Sequence, residues 1–236
     1  MAKGPNTLIN FVHWSMKSLL VFALLTATIT PTVAQPDVFK CTSEKITVIA
    51  DEEIIAQRVC SVISRASTQL EACHLGQLPA VEITVVKRMP VLYSNCFGIY
   101  DCDNQQIKIL DPAYISLDAD PDNAFLELAP DMLFDSVIVH ELTHAYTSQS
   151  ASNTSLSLAA SEYIAYAMQL EFLPAIERQK ILDAHEFLEP VEPEGLNGFI
   201  LMTAPSVFAA KAWRHFNYAE NGCGFVLDII DGEVDL

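Results

Sequence analysis

Six histidines are scattered along this chain, and two of them stand four residues apart in His140-Glu141-Leu142-Thr143-His144. On a helix, positions i and i+4 share a face, so both imidazoles reach one metal ion. Zinc is the ion that suits this pattern, and Glu141 then stands where it can take a proton from a water activated there. The context favours this over a surface helix with two stray histidines. No proline or glycine interrupts residues 133–149, and Phe134, Val137 and Ile138 keep the helical register. Val137-Ile138-Val139 and Ala145-Tyr146 carry no charge, so the helix is expected to be buried. A dry site strengthens a cation's hold on its ligands.

A catalytic zinc takes three protein ligands and keeps one position open. The favoured third ligand is Glu162, because Leu158, Glu162, Ala165 and Gln169 fall on one helical face and the carboxylate projects from a mainly apolar stripe. A buried carboxylate without a partner is costly, and a cation relieves that cost. Glu171, His185 and His215 are the alternatives. Hydrolysis also needs a donor for the oxyanion of the tetrahedral intermediate. Tyr166, one turn past Glu162, is one candidate, and His215, flanked by Arg214 and Phe216, is the other. Each competes with a plain reading as packed core.

HELTH, followed after seventeen intervening residues by Glu162, resembles the zincin metallopeptidases of the gluzincin type, the group typified by thermolysin. The likeness is close over the two helices and looser over the sheet and helix before them. It implies a zinc hydrolase with His140, His144 and Glu162 as ligands and Glu141 as general base. It also implies that substrate is held by main-chain pairing, here along Phe97–Tyr100 or its hairpin partner. The metzincin layout is excluded, since Thr147 and Ser150 stand where a glycine and a histidine belong. One departure is plain: thermolysin-like enzymes carry Asp four residues after the ligand Glu, and this chain has Tyr166. The groups behind the ligands therefore differ, as in a separate branch of small secreted gluzincins.

The elements that must position these residues read as α+β. Residues 45–50 (KITVIA) alternate as a strand, Asp51 suits an N-cap, and Ile54 to Leu70 recur at helical spacing up to Ala72. Residues 81–87 form a second strand, and residues 97–100 and 106–110 flank Asp101-Cys102-Asp103-Asn104 as a hairpin. Helices are expected at 134–149, 156–172, 174–187 and 206–218, the last closed by Asn221-Gly222, with a loop at 190–198. The expected fold is zincin-like: a small mixed sheet with a backing helix and the HExxH helix, then a mainly helical C-terminal lobe. The lobes divide at about residue 150, in one domain covering 35–236.

The chain's 30 acidic residues against 13 basic give a formal net charge of −17, which excludes the basic footprint that nucleic acid needs. Leu19–Ile29 is a short apolar run after Lys17 and before Thr32-Val33-Ala34, the layout of a secretory signal cleaved after Ala34. Met16 makes a more compact start to that signal than Met1. The run is too short for a stable membrane anchor. Six cysteines lie beyond it: Cys41, Cys60, Cys73, Cys96, Cys102 and Cys223. In an exported chain, secreted or periplasmic, they read as up to three disulfides. Cys60 and Cys73 on one helix stand roughly 20 Å apart and cannot pair, and Cys96 reaches Cys102 only if the segment between them curls back.

The function expected from these readings is secreted, zinc-dependent hydrolysis of peptide bonds in a peptide or protein substrate. Two rivals stand beside it. One is a zinc hydrolase acting on non-peptide amides or esters, and the other is a non-catalytic domain that holds zinc and binds a partner.

Overall fold

Alternating apolar residues build the sheet in the computed structural model, which describes residues 37–115, 123–150, 156–185, 191–218 and 222–236. The secretory-signal reading of residues 1–34 lies outside these. Five strands, β1 (Asp37–Lys40), β2 (Ile46–Ala50), β3 (Val81–Val86), β4 (Gly98–Asp101) and β5 (Gln106–Leu110), form one mixed sheet in the order β1-β2-β3-β5-β4. β2, β3 and β5 run parallel, and β1 and β4 pair antiparallel at the two edges. Ile46, Val48, Ile83, Ile107 and Ile109 point to the buried face.

Seven α-helices are described: α1 (Glu53–Ala72), α2 (Pro130–Ser150), α3 (Leu158–Phe172), α4 (Ala175–Asp183), α5 (Gly198–Thr203), α6 (Pro205–Tyr218) and α7 (Gly222–Ile230). The fold is therefore α+β, as expected. α1 buries Val59, Val62, Ile63, Ala66 and Leu70, while Ile54 at its start is exposed. Asp51 is not its N-cap. Glu52 takes that position without a side-chain bond, and Asp51 instead pairs with Lys87 beyond β3 at 2.6 Å.

α2 carries HELTH and is enclosed by α1, α3 and the β4–β5 edge of the sheet. It begins four residues earlier than the apolar pattern suggests, with Pro130 in the first turn, where a missing N–H costs nothing. Arg58 on α1 clamps it, donating to Asp135 at 2.6 and 3.1 Å and to Asp131 at 2.9 Å. Ser157 caps α3, its hydroxyl accepting from the Ala160 N–H, and the helix packs between α2 and α6. Three elements depart from expectation. β1 is an additional strand, α5 forms across the end of the 190–198 loop and the residues just after it, and Gly222 opens α7 where a helix end is expected.

Two disulfides tie these layers together. Cys41 after β1 bonds Cys60 on α1, and Cys73 at the end of α1 bonds Cys223 on α7. Cys96 and Cys102 are free and exposed. β4 runs extended between them, so the curl they would need to pair does not form. Two crosslinks suit an oxidising compartment, which agrees with an extracellular protein. No helix among the described residues is long and apolar enough to cross a membrane.

Candidate metal centre

The i, i+4 spacing on α2 sets the His140 and His144 rings edge-on to each other, with ring centroids 4.9 Å apart and the two Nε2 atoms 3.2 Å apart. α3 brings Glu162 against both. Its Oε2 is 3.3 Å from His140 Nε2 and its Oε1 is 3.4 Å from His144 Nε2. A tetrahedral zinc with bonds of about 2.0–2.1 Å needs its ligand atoms about 3.3 Å from one another. The closest approaches of the three side chains fall at that spacing, each imidazole meeting a different Glu162 oxygen, and two imidazoles with one carboxylate are a donor set that zinc accepts. Behind them, Gln169 Oε1 lies 3.0 Å from His140 Nδ1 and Ser161 Oγ lies 3.1 Å from His144 Nδ1.

Charge and burial divide the two glutamates. Burial pushes the Glu162 carboxyl up, but the neighbouring His140 and His144 imidazoles outweigh it and hold the group well below the usual carboxylate range. Glu141 is only 6% exposed. Burial, with the Glu162 charge adding to it, raises its carboxyl to about 7, against the pull of His144 and of a hydrogen bond from the Tyr100 main-chain N–H. A carboxylate near 7 suits a general base working close to neutrality.

β4 passes directly over Glu141. The Leu110 N–H donates to the Phe97 carbonyl at 2.8 Å, and ladder alternation then turns the main-chain groups of Gly98 and Tyr100 away from β5. These groups face a cleft of about 850 Å³, whose lining includes Phe97, Gly98, His140, Glu141, Glu162 and Tyr166. β5 is paired on both sides, so of the two hairpin strands only β4 has an open edge among the described residues.

The other candidates separate clearly. Tyr166 lines the cleft with its ring edge-on to His140, centroids 4.6 Å apart, and burial raises its phenol well above the ordinary range, so it stays a donor. His215 is not among the cleft-lining residues. Its Nδ1 lies 2.9 Å from the Tyr163 hydroxyl and its ring packs on Phe225, so the structure gives it a packing role in place of a site role. Glu171 accepts from Trp213 Nε1 at 2.9 Å and pairs with Arg178, and half-buried His185 lies just past α4; neither joins the two motif histidines. Sequence reasoning missed the parts played by Gly98, Ser161 and Gln169. A lone glycine in a strand pattern was the available signal for the first, and the shared helical face with Glu162 was the signal for the last.

Residues 46–236 match DUF6639, a family of unknown function. The chain belongs to that family. No curated protein and no solved structure matches it. The DUF6639 match begins at β2 and spans both motif helices and the β4 edge, so the whole centre lies within it.

Proposed function

We propose that this DUF6639 protein is an exported zinc-dependent peptidase of the zincin type, with His140, His144 and Glu162 as metal ligands. The observation that carries this reading is the 3.2–3.4 Å spacing among the His140 and His144 Nε2 atoms and the two Glu162 carboxylate oxygens at the cleft. The low-lying Glu162 carboxyl and the buried Glu141 beside it support the same assignment. When bound, zinc supplies Lewis acidity, which acidifies a water and polarises a carbonyl.

The remaining work falls to the chain. Glu141 accepts a proton from the attacking water as the water oxygen bonds to the scissile carbonyl carbon. The same carboxyl then delivers that proton to the amide nitrogen as the C–N bond breaks. Tyr166, which lines the cleft edge-on to His140 and is kept protonated by its burial, is the proposed donor to the developing oxyanion. The open edge of β4 pairs with an extended peptide through the main-chain groups of Gly98 and the Tyr100 carbonyl, which favours peptides over small amides or esters. The two disulfides support export.

Digestion of a mixed peptide library by the zinc-loaded protein, read by mass spectrometry, tests the reading. Cleavage by the wild type and none by Glu141→Gln with zinc retained is the expected result. Equal cleavage by both would overturn the role of Glu141, and turnover of small acyl substrates alone would replace the peptidase by the broader hydrolase.

A further inference from the structure

Two buried side chains behind His140, Ser136 and Gln169, form a hydrogen-bond relay whose direction is set by the first of them. Ser136 is fully buried, and its hydroxyl lies 2.8 Å from the Leu133 carbonyl. A carbonyl has no proton, so Ser136 must spend its single proton there. Toward Gln169, whose amide nitrogen stands 3.1 Å away, the same oxygen can only accept. The Gln169 amide nitrogen is therefore its donor, and this settles which way the amide faces. Gln169 Oε1 is left toward His140 Nδ1 at 3.0 Å, where it can only accept. Nδ1 must carry the hydrogen.

We infer that Gln169, oriented by Ser136, is a positioning residue that locks a proton on His140 Nδ1 and so reserves Nε2 as the ring's one cation-binding atom. The inference rests on the proposed metal centre, toward which that Nε2 points at 3.3 Å from Glu162 and 3.2 Å from His144 Nε2. Gln169 is 3% exposed, and both ends of its amide have side-chain partners. His144 is held differently. Its Nδ1 meets the Ser161 hydroxyl, which can donate or accept, so no tautomer is imposed there. The two ligands thus divide the task, one preset and the other adjustable. Both partners are neutral, whereas a carboxylate in either place would make its imidazole a stronger ligand.

The test uses metal-free protein with labelled histidine side chains, then zinc titration against a competing chelator. In the wild type, NMR should show a His140 Nδ1–H that exchanges slowly with water. Gln169→Met should lose that protection and weaken zinc about 10–100-fold, while Gln169→Glu, which still accepts from Nδ1, should restore both. Ser136→Ala frees the amide to turn and should give a mixed population, which serves as the second variant if Gln169→Met does not fold. An unprotonated Nδ1 in the wild type, or a protected one in a folded Gln169→Met, would overturn the inference. A protected Nδ1–H in a wild type that binds no zinc would leave the relay standing and remove the metal reading.

Discussion

A methyl group placed on Gly98 would stand 2.7 Å from Oε1 and Cγ of Glu141, closer than real side-chain carbons approach one another. The strand thus lies directly against the carboxylate that the proposed chemistry uses, and the glycine sets its height. Gly98→Ala should displace Glu141 or the β4 edge while leaving the ligands in place. The expected result is peptidase activity lower by about a hundredfold with zinc content unchanged, measured by peptide turnover and metal analysis on one preparation. Loss of zinc together with activity would mean that the strand supports the ligands as well.

The clamp between α1 and α2 predicts a stability effect remote from the cleft. Removing Arg58 leaves Asp135 nearly buried, with Arg65 at 3.6 Å as its remaining ion pair. Arg58→Ala should cost roughly 2 kcal/mol in urea unfolding, less than the loss of a fully buried pair because Arg58 is itself partly exposed. A change within error would show that Arg65 takes over the pair.

Cys73→Ala with Cys223→Ala opens a crosslink between residues 150 apart. The double variant should lose roughly 2–5 kcal/mol, read by thermal or urea unfolding without reductant. Its α7 amides should exchange faster than those of α2, since that helix is held to α1 by this bond.

Acid should weaken the fold through His215. Burial lowers its pKa below the unfolded value, against the charge of Glu192, while Tyr163 bonds its ring. A depressed pKa means that the unfolded chain binds the proton first. The contribution to stability is then complete above the unfolded value of about 6.5 and is lost as pH falls through the lower folded one. Urea midpoints should fall with pH across that window in the wild type and fall less steeply in His215→Gln. Parallel slopes would place the acid sensitivity elsewhere.

The parts of the site legible in the sequence are those set by short-range spacing. His140, Glu141 and His144 lie within five residues, and Glu162 with Gln169 shares a helical face that periodicity alone displays. Long-range choices were not legible. Asp51 has the sequence context of an N-cap, but Lys87, brought near it by the β2–α1–β3 arrangement, takes its carboxylate. β1 has no run of buried alternation and gains its strand hydrogen bonds from the β2 edge. Asn221-Gly222 reads as an ending, yet the bond from Cys223 to Cys73 and the burial of Val226, Ile229 and Ile230 hold a helix from Gly222 on. His215 was legible as a titratable residue near aromatics, but only the packing of α6 and α7 turns it toward Tyr163 and Phe225.

The most direct measurement is zinc per polypeptide in the purified, disulfide-intact protein, compared with Glu162→Ala. The account predicts about one zinc in the wild type and a marked loss in the variant, since two imidazoles alone leave the tetrahedral site without its carboxylate. A folded wild type that takes up no zinc after reconstitution, or a Glu162→Ala variant that holds it as well as the wild type, would contradict the assignment.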